Sequence, residues 1–526
     1  MEQQEYENIR IVIIGNGPSG LSLSALLAGW RPYYDTRVGH PNKYIHEQLA
    51  PNAELSLMDQ DLSWWSDDGG VSKLMDVLCR PDVDIGHEHA SAIRWQHHAE
   101  LAVPHLVLAK TPPGGSWHHY SDQLLCVSSN TWFDLPAVSL FDWLHGFPLV
   151  DRLPVGVVRS YFQKYPLLAG IDQYQLPGVD VTRVQRCPDD THWLVDAERG
   201  DGTRTRYKCE IIVLATGVTE PRKLEVPGES GSTIAYSLPA LESRLKLPKY
   251  KQHILHDAFD QYFKLCGDAH ATNKNTLGEL NVDKWIHDNN DDSDHDGAMS
   301  RRSSSVSTTP RSTHDIMPHE PRLRDNDLTT VIIGDGLSAA DAVVRCLCAG
   351  VHVTHVFRRH PKQLKGTLLG RLTSERYLDY KSVVSLMSGR IISPLYRPYA
   401  QHAVVAVESD NGHLTSVQLR SMNDGHVTSV QAKAIGAFLG SYVTLPSTTL
   451  ASDIMASNRQ RLLIDPNTYQ CVSSRSRDLV PGLYASGPLA GNSFVRYIVG
   501  GCMLVVKHVL QQRANKDDNS VIVTAL

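Results

Sequence analysis

No C-x-x-C pair occurs among the nine cysteines of this 526-residue chain, so the usual sign of a dithiol redox centre is missing. Cys346 and Cys348 lie two apart and would point to different faces of a helix. The thiols are therefore expected to be reduced and mostly buried, in a reducing compartment. No apolar run approaches the ~20 residues that a membrane helix needs. The opening MEQQEYENIR lacks the basic start and short apolar run of a secretory signal. Nor is there an excess of positive charge. Lys and Arg number 51 against 57 Asp and Glu, a formal charge of -6 with the 25 His neutral, which gives no case for a nucleic-acid or polybasic membrane surface. Those histidines form no H-E-x-x-H and no Cys/His zinc spacing, so no metal site is expected. Together these absences point to a soluble cytoplasmic protein, with organelle or nuclear association left open. The length points to about two to four domains.

What is present is an internal echo. Strand RIVIIG, a glycine turn and helix LSLSALLAG at 21–29 are repeated by strand TVIIG, a glycine turn and helix AADAVVRCLCAG ending at Gly350. Each helix closes on a glycine, which stops it without a Cβ penalty. Two βα units of one design predict two nucleotide-binding lobes. Strand-like runs HLVLAK (105–110), EIIVLATG (210–217), VHVTHVF (351–357) and HAVVAVES (402–409), with a helical SFVRYIVGGCMLVVKHVLQQR, predict an α/β chain with parallel sheets. Residues 268–327 are rich in Asp, Asn, Ser and His and poor in large apolar side chains, so a disordered insertion is expected there. Within it RRSSS at 301–305 sets serines beside two arginines, either a basophilic kinase target or a solvated polar tract.

The first turn places Gly15, Gly17, Pro18, Ser19 and Gly20 between a β run and a helix. The first glycine permits the bend, the second lets a phosphate approach the backbone, and the third lets helix and strand pack closely. Amides at the helix start then meet the anion. The acid that would bond a ribose hydroxyl should follow near 35–40, but GWRPYYDTRVGHPN shows no obvious strand and only Asp35 as a weak substitute. The second turn carries Gly334, Gly336, Leu337, Ser338 and Ala339, with a small residue in the third place. Its following strand ends in Arg358 and Arg359, where a protein that binds NAD would place its acid. Paired guanidinium groups suit a 2′-phosphate, so NADPH is assigned to this lobe. A second dinucleotide is then needed for the first lobe, and FAD is the usual partner of NADPH.

Three further stretches agree with FAD. Gly114, Gly115, Ser116 and Trp117 in PPGGSWHHY resemble the Gly-Gly-x-Trp segment that lines the flavin of flavin-dependent monooxygenases. Ala215, Thr216 and Gly217 in ATGVTEP resemble the turn that leaves their flavin domain. GLYASGPLAGNSFVRYIVGGCMLV, with Gly487, Pro488, Phe494 and Val495, resembles the closing segment that reaches the flavin.

The chain as a whole resembles the oxidative stress-induced growth inhibitor family, a branch of two-dinucleotide flavoproteins related to flavin-containing monooxygenases. The matching stretches are IGNGPSG, SLMDQDLSWW, HLVLAKTPPGGSWH, DGLSAADAVV with HVFRR, IDPNTYQ and GPLAGNSFVRYIVGGCM, from residue 11 to about 510. Two departures stand out: the 268–327 insertion, and Asn492 where the family pattern has aspartate. Asn keeps one carbonyl acceptor toward the ribityl chain and loses the charge.

The resemblance implies two Rossmann-like dinucleotide-binding domains, the FAD domain discontinuous: residues 1–230 and 430–526 around an NADPH-binding 231–429. It also implies an NADPH-consuming monooxygenase that activates molecular oxygen as a flavin hydroperoxide and passes one atom to a small-molecule substrate, linked to oxidative-stress or growth control. Asn130, after the Gly-Gly-x-Trp segment, matches in place an asparagine that orients the cofactors in flavin-containing monooxygenases; a turn-forming Asn is the other reading. Two alternatives stand beside the oxygenase: a disulfide-class flavin reductase, disfavoured by the missing cysteine pair, and a regulatory flavin-fold protein that binds partners with little turnover.

Overall fold

A computed structural model describes residues 6–67, 70–87, 89–144, 151–187, 191–230, 234–247, 329–410 and 414–524. The predicted insertion at 268–327 and the RRSSS stretch within it lie outside these residues.

Strand Ile11–Ile14 is apolar at every position and buried at every position. That pattern belongs to a parallel strand covered on both faces. It occupies the middle of a six-stranded sheet, flanked in parallel by Ile211–Leu214 on one side and His105–Ala109 on the other. Alternate residues serve different cores. Ile11 and Ile13 pack under helix Pro18–Leu27 and the helix beginning at Val495. Val12 and Ile14 pack against Val181, Trp193 and Val195 of an antiparallel meander, Val179–Arg186, Trp193–Arg199 and Arg204–Cys209.

The second glycine turn starts from Thr329–Ile333, which lies between Val353–Phe357 and Val427–Ala437 in a seven-stranded sheet. Strand Val427–Ala437 belongs wholly to this sheet. Both helices end as the sequence predicts, with Gly29 at φ +108° and Gly350 at φ +71°.

The echo is imperfect in one respect, and it corrects the sequence reading. Residues Trp30–Tyr34 do form a strand, directly after the first helix. It leaves the parallel sheet and pairs antiparallel with Ile93–His97 instead. The place beside Ile11–Ile14 that a second Rossmann strand takes is filled by His105–Ala109. Asp35 therefore stands at the end of the wrong strand. It is buried, held by the Arg37 guanidinium at 2.7 and 2.9 Å, and lies off the cavity wall.

Candidate functional site

The carboxyl ends of the first sheet converge through backbone bonds. Gly15 N–H donates to Leu108 O at 2.8 Å, Ala215 N–H to Ile14 O at 2.8 Å, and Ser486 N–H to Leu214 O at 2.9 Å. Gly15 sits at φ +109°, and a Cβ there would lie 2.4 Å from Ala215 O. A Cβ on Gly20 would lie 1.9 Å from Gly15 O, so helix and turn are in contact. Gly17 differs: a Cβ there would only make van der Waals contact with Gly114 O at 4.0 Å. The first-turn amides of the helix that follows have no intrahelical partner. Gly115 packs against Gly17, and Gly114 N–H donates to Asn16 O at 2.9 Å. Buried Asn16 ties the two loops together by donating to Thr111 O at 2.7 Å.

These loops border a cavity of about 1170 Å³ lined by Gly15, Gly17, Pro18, Ser19, Gly115, Ser116, Trp117, Ala215, Thr216, Gly217, Pro488, Phe494 and Val495 among the predicted residues. Trp117 is braced edge-on by Phe133 and Phe162 at 5.3 and 5.4 Å. Gly487 presses on the helix start, since a Cβ there would lie 2.1 Å from Ser19 Oγ. Buried Thr216 Oγ1 has no hydrogen-bond partner among the described residues. An open phosphate turn, an orphaned hydroxyl and an apolar ring-sized wall fit a flavin dinucleotide.

The cavity crosses to the second lobe. Leu337, in the first turn of helix Leu337–Cys348, lines it together with Asp341 and Tyr380. The lobes are pinned around it by Tyr377 Oη donating to Val127 O at 2.6 Å and by Arg152 on Asp379 at 2.9 Å. The second turn repeats the first: Gly334 has φ +129° and touches Phe438 O, Ala339 is buried behind it, and Gly336 is open. Gly334 is held by His355, whose Nε2 lies 2.7 Å from Gly334 O and whose burial pushes it down to about 4, leaving a neutral ring. Gly334, Gly336, Ser338 and Ala339 form the turn outside the cavity lining. Arg358 and Arg359 are both exposed at the end of Val353–Phe357. Arg359 pairs with Asp335 inside the turn itself.

Two predicted residues turn elsewhere. Asn130 opens the short turn Asn130–Phe133, where its Oδ1 accepts from Thr131 N–H at 2.6 Å, off the cavity wall. Asn492 donates to Tyr469 Oη at 2.8 Å, also off the wall.

No family model matches the chain. It is 29% identical over 514 residues to the oxidative stress induced growth inhibitor homolog of Caenorhabditis elegans, covering 95% of this chain and 93% of that one. It is 27% identical over 543 residues to oxidative stress-induced growth inhibitor 1 of Homo sapiens, covering 97% of each. Its relatives are oxidative stress-induced growth inhibitors. Among solved structures it is similar to a bacillithiol disulfide reductase from Staphylococcus aureus, with TM-score 0.52, 12% identity, and 96% and 99% of the two chains covered. It is also similar to an ornithine N-hydroxylase from Kutzneria sp. 744, solved with reduced FAD, NADP+ and L-ornithine, with TM-score 0.50, 13% identity, and 96% and 100% covered. The fold is that of the flavoproteins with two dinucleotide-binding domains.

The sequence motifs do not include the polar pair that lines the cavity at the lobe junction, Asp341 and Tyr380. Asp341 accepts a 2.7 Å hydrogen bond from Tyr380 Oη. Burial pushes its carboxyl from an ordinary 3.8 up to about 7, with the nearby Asp379 adding to the rise. Only the helical position, five residues after Gly336 and facing the cleft, hints at it in the sequence. The raised value fixes a pH dependence. Between about pH 4 and 7 the unfolded chain ionises Asp341 while the folded chain keeps it protonated, so stability falls as pH rises through that window and is flat above it. Asp341→Asn keeps the acceptor for Tyr380 and removes the titration. We expect the variant to lack this loss, about 3 kcal/mol, when denaturation midpoints are compared at pH 4.5 and 7.5. Parallel profiles for parent and variant would refute the assignment.

Proposed function

We propose that this chain is an FAD-dependent oxidoreductase that consumes NADPH and works as a monooxygenase on a small molecule. The observation that carries the reading is the single cavity shared by the start of the Pro18–Leu27 helix and the start of the Leu337–Cys348 helix. Two dinucleotides gripped at those starts would bring their redox rings into one space. Bound there, the two cofactors would supply the hydride-transfer and oxygen chemistry that the protein's own side chains lack. The protein's own part is to grip, orient and exclude water. Trp117, Phe133 and Phe494 supply an apolar wall, and Asp341 with Tyr380 can hold or release a proton near neutral pH at the lobe junction. A dithiol mechanism has no support on the wall: Cys126 is the one cysteine among the described lining residues, and burial pushes its thiol up to about 12.

The test is an absorbance spectrum of the purified protein, reduced anaerobically with NADPH and then exposed to oxygen. Bleaching of the flavin bands by NADPH, faster than by NADH, supports the reading. A colourless protein that ignores NADPH after FAD is added favours a partner-binding role. In the second lobe Arg359 is already engaged by Asp335, while Arg358 is exposed and has no ion-pair partner among the described residues. Arg358→Ala should therefore narrow the preference for NADPH over NADH roughly tenfold, the worth of one charge-assisted contact, in kcat/KM measured with each nucleotide. Arg359→Ala should weaken both nucleotides, because it bares the Asp335 carboxylate in the phosphate turn.

A further inference from the structure

The first lobe lacks the strand-end acid that holds a ribose in other dinucleotide-binding units, and the sheet order shows where that acid should have been. The strand beside Ile11–Ile14 is His105–Ala109, and the residues at its end are Ala109 and Lys110. Neither can accept from a hydroxyl through a carboxylate. Lys110 instead reaches across to the antiparallel meander. Its Nζ lies 2.8 Å from Asp180 Oδ2, on strand Val179–Arg186. Lys110 and Asp180 both line the cavity, together with their neighbours Thr111 and Val181 and with Gly17 of the first turn. Among the described lining residues the only carboxylates are Asp180 and Asp341, and Asp341 belongs to the second lobe, engaged by Tyr380.

We propose that Asp180, held in place by Lys110, accepts the ribose hydroxyls of the adenosine end of the dinucleotide seated on the Gly15–Gly20 turn. The proposal rests on the FAD reading given above. A carboxylate offers about four acceptor sites and the lysine occupies one, which leaves room for two hydroxyls. Lys110 fixes the carboxylate's direction and supplies its counter-charge. The side chains remain 70% and 43% exposed, so neither is committed to the core and both can meet a ligand. A ribose bearing a 2′-phosphate would set its charge against Asp180. The two grips are therefore opposite in selectivity, an acid for the free ribose in the first lobe and arginines for the phosphorylated one in the second.

The experiment is a fluorescence titration of the full-length apoprotein with FAD and, separately, with FMN, which lacks the adenosine. Asp180→Ala should weaken FAD roughly tenfold or more and leave FMN where it was. Asp180→Asn, which keeps one carbonyl acceptor, should fall between the two, and Lys110→Met should lose less than Asp180→Ala. An Asp180→Ala protein that binds FAD as the parent does overturns the proposal, and so does one that loses FAD and FMN equally, since that marks a structural role. A parent that binds neither flavin overturns the FAD reading itself, an outcome separable from the others because it appears before any substitution is made.

Discussion

Gly17→Val is expected to give a folded protein that has lost its flavin. Gly17 caps the first helix with φ −69° and ψ −174°, an extended conformation open to any residue. A Cβ there would make ordinary van der Waals contact with Gly114 O at 4.0 Å, so the first carbon of a side chain fits without a clash. What it fills is the approach of a phosphate to the helix-start amides. The loss should be large, a hundredfold or more in FAD affinity, or about 3 kcal/mol. Gly15→Ala makes the control of opposite kind. At φ +109° any side chain is strained, and the new Cβ would meet the Ala215 carbonyl at 2.4 Å. That variant should lose stability as well as flavin. Flavin absorbance and a denaturation curve on both proteins separate the cases: equal stability losses would mean that Gly17 is structural and the phosphate reading is wrong.

The second large effect concerns a residue outside the glycine turns. Arg496, in the first turn of the helix that begins at Val495, has its side chain 2% exposed and bonds Asp76 through Nε at 2.8 Å. It also bonds Asp84 at 2.9 Å and lies over the Trp132 ring with its guanidinium carbon 4.4 Å from the ring centroid. Asp76 is shared with Arg80 at 3.0 Å. This network clamps helix Gly70–Cys79 and the Asn130–Phe133 turn to the helix whose start, Phe494 and Val495, forms part of the cavity wall. Arg496→Leu leaves the Asp76 carboxylate, 1% exposed, with Arg80 alone. Breaking one member out of a buried charge network costs about 3–5 kcal/mol, and the remaining arginine places this case near the lower end. Asp84 adds little, because its side chain is 62% exposed and recovers water. Arg496→Lys keeps the charge and loses the forked geometry, so it should recover part of the loss. Chemical denaturation midpoints on the three proteins check the order, and FAD retention should follow it. A parent-like midpoint for Arg496→Leu would show that the network contributes no net stability.

The local parts of this protein were readable one by one. Gly15 and Gly334 announce their turns because their positive φ strains any side chain, and Gly20 because a Cβ there would meet Gly15 O at 1.9 Å, constraints that act within a few residues. The alternation of strands and helices, their glycine stops and the arginines ending Val353–Phe357 are of the same local kind. From these alone follow the fold class and the two glycine turns.

Sheet neighbours and charge partners were decided elsewhere. Trp30–Tyr34 follows the first helix in the chain yet leaves the sheet, and His105–Ala109 takes its place, because which strand joins a parallel sheet depends on what the rest of the chain packs over it. That exchange leaves Asp35 off the cavity wall and brings Ala109 and Lys110 to it. Asp341 meets Tyr380 across 39 positions and Arg496 meets Asp76 across 420, distances over which local periodicity carries no signal. Backbone geometry is written in neighbouring residues and so belongs to the sequence; the pairing of buried charges and the order of strands arise only when distant segments compete for the same core, and so belong to the tertiary structure.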